Sequence, residues 1–503
     1  MRPNSRGTLE RVRLAARPAA VVGFGLSFAM ASSGALGWLL DLVSPPTRSV
    51  GSSMGESALF IAAAVSLALS TGVFLFSRPY DEKTFRRFEA TLAVAMVWGG
   101  TSVFGGLPFV IGAGFSPADA IFETASGFTT TGATIISNIE GTLSRALLLW
   151  RSLIQWLGGM GIVVLFVAVI PNLGAGGKQL FKNEVPGTTS EGLRPRIAET
   201  SFALWKLYAA FTLLEGLILF GLGMTPFEAI CHSLTTMATG GFSTRDASIA
   251  AFQSPAIEFT VSVFMVLAGV NYALYYGALR TGSLRVFFRS YEFKVYLALV
   301  VVSTLALAVV SLDLHGGRPL DSLRYGFFMV ATIISSTGYA AEDFAAYPPT
   351  GLMIILFLML VGGSAGSTAG GLKVERITLL AKLAWAQIHR SFRPSLVQTV
   401  RMGRSVVSHH VLNDVSALFV VYVACLIMGT LFVSGVDGVS VPTAFGAMLT
   451  SLSNIGPAPF YVGVDNFAAY SDPSKFVFAF SMVLGRLEFF TLLALFVPEF
   501  WRR

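Results

Sequence analysis

Residues 117–133 read PADAIFETASGFTTTGA, a short apolar segment that closes on three threonines and a glycine. A helix needs roughly 20 apolar residues to cross the hydrocarbon core of a bilayer. This segment is too short for that, and it lies between two longer apolar runs, 88–112 and 146–171. The pattern predicts a re-entrant half-helix that ends in a turn at Gly132.

The same arrangement recurs in the short apolar segments 226–241, 320–338 and 441–456, so that one glycine returns roughly every 100 residues. One such turn is a weak signal because glycine is frequent in membrane helices. Four such turns, each at the end of a short segment between two long apolar runs, predict a fourfold repeat. We call the repeated segments the glycine turns; they contain Thr130, Thr131 and Gly132, then Thr239, Gly240 and Gly241, then Ser336, Thr337 and Gly338, and finally Asn454, Ile455 and Gly456.

The composition indicates a polytopic membrane protein. Of 503 residues, 54% are hydrophobic and 13% are charged, whereas soluble domains average about 25% charged residues. Ten apolar runs predict membrane spans: 18–43, 57–77, 88–112, 146–171, 202–223, 256–279, 295–312, 350–385, 411–434 and 475–498. The predicted fold is all-α, with four span, pore-helix, span units in a pseudo-fourfold arrangement around one pore and two extra N-terminal transmembrane helices.

Charge placement sets the predicted orientation. Of the 35 Lys and Arg residues, 27 lie in the segments 1–17, 78–90, 172–206, 279–294, 373–404 and 500–503. Cytoplasmic loops are enriched in Lys and Arg, and all six segments fall on one side only if the short segments do not cross. Both termini are therefore predicted to be cytoplasmic.

The glycine turns suit a dehydrated alkali cation. Extended backbone is tolerated at membrane depth where it lines water, and rings of carbonyl oxygens replace the hydration shell of the ion in potassium channels. Glycine permits the backbone angles that direct successive carbonyls inward. The twelve residues of the glycine turns are thus predicted to bind potassium through their backbone carbonyls.

A second feature is the glycine-rich loop, residues 362–371, which interrupts the apolar run 350–385. Interior glycines each weaken a helix by about 1 kcal/mol, so this part of the run should unwind. The functional interpretation is a gate across the pore formed by Gly362, Gly363, Ser364, Gly366, Ser367, Thr368, Gly370 and Gly371. The alternative is a packing face or kink, since small residues are common where membrane helices cross.

Charged residues inside apolar segments are the third feature. Arg486, with Glu488, lies within the last predicted span, and an intramembrane charge is by default a functional hypothesis. Arg486 is predicted to face the pore and to belong to the gate, and the alternative is that it snorkels to an interface. Asp119, Glu123 and Glu228 would either attract cations to the outer mouth or cap the half-helices.

Other classes of protein fit less well. A secondary symporter with broken helices would show two related halves, whereas four quarters are present. No histidine or cysteine pattern typical of a metal or redox site occurs, so we predict neither an enzyme nor a bound cofactor. Potassium is expected as the substrate, and co-transport of protons or sodium stays open.

The sequence resembles the Trk/Ktr/HKT superfamily of potassium transporters, and most closely its TrkH branch. The resemblance covers nearly the whole chain. It rests on residues 150–161 (WRSLIQWLGGMG), 195–200 (PRIAET), 268–272 (AGVNY), 362–373 and 485–488 (GRLE).

This resemblance implies potassium uptake across the bacterial inner membrane by a homodimer with one gated pore per subunit, regulated by a cytosolic, TrkA-like nucleotide-binding subunit. Gly132, Gly241, Gly338 and Gly456 match the family's selectivity glycines. Residues 362–371 match its gating loop, and Arg486 matches its pore-side cation. Glycine at position 132, where some related transporters carry serine, indicates potassium over sodium. Pro457 follows Gly456 where the branch often has a second glycine, which sets the fourth turn apart.

The expected organisation has seven parts. They are an N-terminal two-helix extension (1–84), unit 1 (85–172), a cytoplasmic linker (173–200), unit 2 (201–284), unit 3 with the glycine-rich loop (285–388), a second cytoplasmic linker (389–408) and unit 4 (409–503).

Overall fold

The computed structural model describes residues 8–43, 54–77, 87–161, 197–393, 399–403, 405–459, 466–487 and 489–502. These residues are mainly helical. The helices are α1 Thr8–Val43, α2 Gly55–Phe76, α3 Arg87–Phe104, α4 Leu107–Ala113, α5 Pro117–Phe128, α6 Ile139–Thr142, α7 Arg145–Gly159, α8 Ile197–Gly221, α9 Pro226–Met237, α10 Pro255–Ala268, α11 Tyr272–Thr281, α12 Arg285–Arg289, α13 Tyr291–Val310, α14 Pro319–Ile334, α15 Pro349–Val361, α16 Val374–Phe392, α17 His409–Asp437, α18 Val441–Ser453, α19 Asp472–Arg486, α20 Phe489–Leu493 and α21 Pro498–Arg502.

Short 3-10 helices cover Ser248–Phe252, Phe344–Ala346 and Ala494–Phe496. One detail departs from the all-α expectation. Strands β1 Arg401–Met402 and β2 Ser405–Val406 pair in antiparallel fashion inside the predicted linker 389–408.

Six of the predicted spans correspond to helical segments that are long and apolar enough to cross a membrane. Within the described ranges these are Leu9–Leu42, Gly55–Phe76, Phe88–Ala113, Ser201–Gly221, Tyr291–Val310 and His409–Asp437. The predicted span 146–171 is helical as far as Gly159, and its residues 162–171 lie outside the described residues, as do most of the linker 173–200 and Glu488.

Two predicted spans are not the continuous helices that the hydropathy predicted. In the run 256–279, α10 and α11 meet at 87°, and in the run 475–498, α19 meets Phe489–Phe496 at 119°. The run 350–385 is interrupted after Val361 and becomes helical again at Val374, as its glycine content predicts.

The break between α10 and α11 has a local cause. The Asn271 side chain accepts a hydrogen bond from the Ala273 amide at 2.9 Å and so caps a new helix. A Cβ on Gly269 would overlap the Tyr296 hydroxyl, so the chain passes close to α13 at this point. Hydropathy averages over the window and does not detect such a break.

The four half-helices α5, α9, α14 and α18 contain 12, 12, 16 and 13 residues. All four begin with proline in the first turn, where its missing N–H is not needed. Ser116, Thr225 and Ser440 cap three of them by accepting a backbone N–H. Their lengths agree with the predicted re-entrant segments.

The half-helices pack in a cyclic order. Each contacts the second helix of another unit: α9 packs on α7, α14 on α10, α18 on α15, and α5 on α19. The last of these contacts joins the first unit to the fourth. The N-terminal helices α1 and α2 pack on each other and on α7, outside this circle.

Candidate ion pore

The four glycine turns share one backbone conformation. Two residues before each glycine, Thr130, Thr239, Ser336 and Asn454 have φ of +56°, +56°, +58° and +55°. The left-handed region costs a non-glycine residue roughly 1–2 kcal/mol. The same uncommon angle in four segments, at threonine, serine and asparagine alike, indicates that the surrounding fold imposes it.

Each turn is tied to its half-helix by the same backbone bond. The amide of the residue before the glycine donates to the carbonyl five residues earlier, at 2.8–3.1 Å. Those acceptors belong to Ser126, Thr235, Thr332 and Thr450. Three of these hydroxyls also donate across the turn, to the carbonyls of Ala133, Tyr339 and Pro457. A hydroxyl residue six positions before each glycine is therefore a signal in the sequence that the pattern analysis missed.

The turns contact one another in a closed circle. A Cβ on Gly132 would overlap the Gly240 carbonyl oxygen, one on Gly241 that of Thr337, and one on Gly338 that of Ile455. A Cβ on Gly456 would press on the Thr131 carbonyl oxygen. Both the positive φ of these glycines and the lack of space exclude a side chain here. The structure thus brings all twelve predicted binding residues together.

Side-chain contacts also join the fourth turn to the first. The Asn454 amide donates to the Thr131 hydroxyl at 2.9 Å and to the Met482 carbonyl at 2.8 Å. Asn454 thereby links two glycine turns and α19. In the other three units the corresponding position is threonine or serine, which lacks this reach.

Two side chains of α7, four residues apart, form hydrogen bonds with the chain at and just after the second glycine turn. Gln155 donates to the Gly240 carbonyl at 2.6 Å and accepts from the Phe242 amide at 3.1 Å. Arg151 donates to the Ser243 carbonyl at 3.1 Å and to Glu123 at 2.6 Å. Sequence reasoning missed both residues, although they lie in the quoted WRSLIQW motif.

The Arg151–Glu123 pair is buried, with side chains 2% and 0% exposed. Glu123 also accepts hydrogen bonds from the Thr134 hydroxyl and the Ile135 amide. A buried ion pair is tolerated only when its remaining hydrogen bonds are made, and here they fix the chain directly after the first turn. Glu123 is therefore part of the scaffold behind the turns.

The other two acids are also paired. Asp119 accepts from Lys475 at 2.6 Å, and Glu228 forms a capping box with Thr225 and accepts from Arg245 at 2.6 Å. Both lie in the first turn of a half-helix. This geometry favours the capping interpretation over cation attraction, because each carboxylate is already matched by a cation.

The glycine-rich loop lies directly against the glycine turns. The Thr368 hydroxyl donates to the carbonyls of Met237 and Ala268, at 3.2 and 3.3 Å. The Gly370 amide donates to the Ser336 hydroxyl at 2.6 Å. The loop therefore contacts the C-terminal end of α9 and the third turn.

Three charged side chains hold this loop. Arg486 donates to the Thr368 carbonyl at 2.6 Å, and also to the carbonyls of Gly158 and Gly159 at 2.9 and 2.8 Å. Glu292 accepts from the Ala365 amide at 2.6 Å, and Lys373 donates to the Ala369 carbonyl. Arg486 points inward to three carbonyls of two segments, so the geometry disfavours snorkelling. Sequence reasoning missed Glu292.

The comparisons with known proteins bear on this arrangement. The sequence profile of TrkH, described as a cation transport protein, matches residues 56–503. The chain belongs to the TrkH family. Its apolar helices and this membership together make it a multi-pass membrane transport protein rather than an enzyme.

Individual relatives of this TrkH-family chain are similar over most of its length. The Trk system potassium uptake protein TrkH of Salmonella typhimurium is 38% identical over 446 residues, which are 87% of this chain and 91% of that protein. The Trk system potassium uptake protein TrkG of Escherichia coli K12 is 31% identical over 481 residues, which are 93% and 97% of the two chains.

A solved structure agrees with the fold. The crystal structure of the potassium transporter TrkH from Vibrio parahaemolyticus superposes with a TM-score of 0.85 at 32% identity, covering 97% of this chain and 99% of that one. The TrkH resemblance inferred from the sequence motifs is thus confirmed.

Proposed function

We propose that this protein takes up potassium across the bacterial inner membrane through a channel-like pore that selects potassium over sodium. The observation that carries the proposal is the closed circle of four glycine turns, each with the same left-handed backbone. We interpret this circle as the selectivity filter of a single pseudo-fourfold pore. The curated relatives, which are named as potassium uptake proteins, support the choice of ion.

The proposed selectivity comes from backbone carbonyls of the glycine turns, which replace the water around potassium. Gln155 makes the second turn different from the others, because it donates to the Gly240 carbonyl. That oxygen therefore shares its lone pairs between the side chain and any ion. The filter in this proposal is chemically asymmetric although its backbone repeats four times.

The proposed gate consists of the glycine-rich loop and Arg486. The loop contacts the turns on the same side as the ends of α7 and α10, and Arg486 fastens it to the end of α7. A guanidinium keeps its charge at every attainable pH, so its field opposes a cation that lies next to it. Opening in this proposal requires the loop and Arg486 to move away from the turns.

The membrane potential supplies the energy in this proposal. A potential of 100 mV is worth about 2.3 kcal/mol per monovalent cation, or roughly 50-fold accumulation. We further propose a homodimer with both termini in the cytoplasm and a cytosolic, TrkA-like nucleotide-binding subunit that moves the gate. The "Trk system" in the names of the relatives supports a further subunit and the Lys/Arg distribution supports the orientation, while the homodimer follows from the family resemblance.

Ion flux into liposomes that contain the purified protein tests the proposed function. We expect potassium to enter faster than sodium when a negative internal potential is imposed at equal ion concentrations on both sides, and net entry to stop when the potential is removed. The same assay with an imposed proton gradient tests for co-transport. Equal sodium and potassium fluxes, or flux of an organic solute in place of potassium, would contradict the proposal.

A further inference from the structure

Glu215 is an ionisable residue in the middle of an apolar helix that the pore described above does not use. It lies in α8, inside the candidate span Ser201–Gly221, and its side chain is 0% exposed. Neither carboxyl oxygen has a hydrogen-bond partner among the described residues. A buried carboxylate without a partner is very costly in a medium of low dielectric constant.

The Thr236 hydroxyl lies beside this carboxyl. Its one proton is directed to the His232 carbonyl at 2.8 Å, and neither carboxyl oxygen has a donor in hydrogen-bond geometry among the described residues. Thr236 belongs to the last turn of α9, and a helix C-terminus carries a partial negative charge. This partial charge adds to the cost that burial already places on the ionised form of Glu215.

The titratable groups that face Glu215 are three tyrosines: Tyr208 of α8, Tyr272 of α11, and Tyr339, which follows the third turn. Tyr208 donates to the Trp156 carbonyl and Tyr339 to the His232 carbonyl. The Tyr272 hydroxyl is buried and has no partner among the described residues. The three tyrosines place neutral hydroxyls near the carboxyl.

Several other ionisable groups of the neighbouring helices have partners elsewhere. On α9, His232 lies between the Glu228 carbonyl and the Ser243 hydroxyl, and Glu228 pairs with Arg245. The Cys231 thiol of α9 lies beside Ser152. The α10 carboxyl, Glu258, pairs with Arg324, and the Tyr275 hydroxyl of α11 donates to the Leu267 carbonyl.

Tyr208 and Tyr272 lie near both Glu215 and the gate. Tyr208 lies within electrostatic range of both Glu215 and the Arg486 guanidinium. Tyr272 lies beside Thr368, whose carbonyl accepts from Arg486. A charge on Glu215 therefore acts on the same region as the charge of Arg486, with the opposite sign.

We propose that Glu215 is a proton-binding site of the pore, protonated when no cation lies beneath the second glycine turn and ionised when one does. The O–H bond of the acid breaks, its electron pair stays on the carboxylate, and the proton passes to water in the pore. The negative charge then stabilises the cation and offsets the field of Arg486. This proposal rests on the pore assigned under the proposed function.

Binding of the two cations is then antagonistic. Since each ion lowers the affinity for the other by the same factor, loss of the proton at alkaline pH tightens potassium binding, and acid weakens it. For charges about 10 Å apart at an effective dielectric constant of about 20, the coupling is roughly tenfold.

Infrared difference spectroscopy on the purified protein tests the proton site directly. We expect the C=O stretch of a protonated carboxylic acid in the wild type, weakened when potassium is added, and absent in Glu215→Gln. The matched control is Glu258→Gln, which removes another buried carboxyl but one that is paired with Arg324, and it should leave the band in place. A wild-type spectrum without a band that depends on Glu215 would overturn the proposal.

Potassium flux at two pH values gives the functional readout. The wild type should bind potassium roughly tenfold more weakly in acid than in alkali, and Glu215→Gln should lose this dependence. Two results would show that Glu215 is no proton site. In the first, Glu215→Gln keeps the wild-type pH dependence of potassium binding. In the second, the difference between Glu215→Gln and the wild type changes with the sodium concentration and not with pH. Failure of the proposed function can be told apart from failure of this proposal. In that case the protein does not select potassium, but the wild type still shows the infrared band that depends on Glu215.

Discussion

Gly338 has no Cβ, and the carbonyl oxygen of Ile455 occupies the space that a Cβ would fill. Its φ of +80° also lies in the region that favours glycine. We expect Gly338→Ala to push one quarter of the carbonyl circle outward and to lower the permeability ratio of potassium to sodium, while the protein still folds. Bi-ionic flux measurements on the purified variant give that ratio.

The matched control is Gly435→Ala in α17, because a Cβ there meets nothing within 4 Å. It should keep the wild-type ratio. A Gly338→Ala protein that is folded and as selective as the wild type would remove this glycine turn from the filter.

Arg486 combines a charge with three donated hydrogen bonds, and two substitutions separate these contributions. At about 8 Å and an effective dielectric constant of about 20, its charge raises the energy of a cation by about 2 kcal/mol, a factor of roughly 30 in rate. We expect Arg486→Gln to conduct faster with similar selectivity. Arg486→Lys keeps the charge and should stay slow, which single-subunit flux at matched protein density measures. Faster flux in Arg486→Lys than in Arg486→Gln would contradict an electrostatic barrier.

At the scale of elements, the glycine-rich loop and the glycine turns are separate segments, joined by a hydrogen bond from the Gly370 amide to the Ser336 hydroxyl. Deleting residues 364–367 shortens the loop and keeps Thr368–Gly371. We expect higher basal flux and unchanged selectivity, since an obstruction is removed and the turns stay in place. Flux and permeability ratio in liposomes check both points, and a folded variant that conducts no better than wild type would identify the segment as a packing kink.

The sequence predicted those elements whose signal is local. Four short apolar segments before a glycine, and five glycines inside one apolar run, are visible in the chain because length and glycine content determine them directly. The broken helices at Ala268 and Arg486 were not predicted, because leucine, valine and phenylalanine on either side keep the hydropathy high. Asn271 as a helix cap could have indicated the first of these breaks.

Contacts between residues far apart in the chain could not be predicted from the sequence either. Gln155 and Gly240, or Glu292 and Ala365, meet only because the units pack in a circle. Their residue types gave no sign of the contact, since a lone glutamine or glutamate in an apolar run has many satisfactory environments. The glycine content and the family resemblance led to the proposed gating role of the loop, and the contacts supply its geometry.

At the scale of the whole molecule, the charge distribution predicts which side of the membrane each loop faces. We expect a cysteine at Gln387, in α16, to react with an impermeant thiol reagent only from the cytoplasmic side, and one at Asp313 only from the outside. Both positions are exposed. The background protein should carry Cys231→Ala and Cys425→Ala, because these are its two natural cysteines. Labelling of both positions from one side would contradict the predicted orientation.

Anomalous diffraction from crystals soaked in thallium, a heavy substitute for potassium, tests most directly whether the four glycine turns form the ion site. The account predicts thallium on the axis enclosed by Gly132, Gly241, Gly338 and Gly456, displaced by added potassium and retained in equal sodium. Thallium found only elsewhere in the protein, or displaced equally by sodium and potassium, would contradict it.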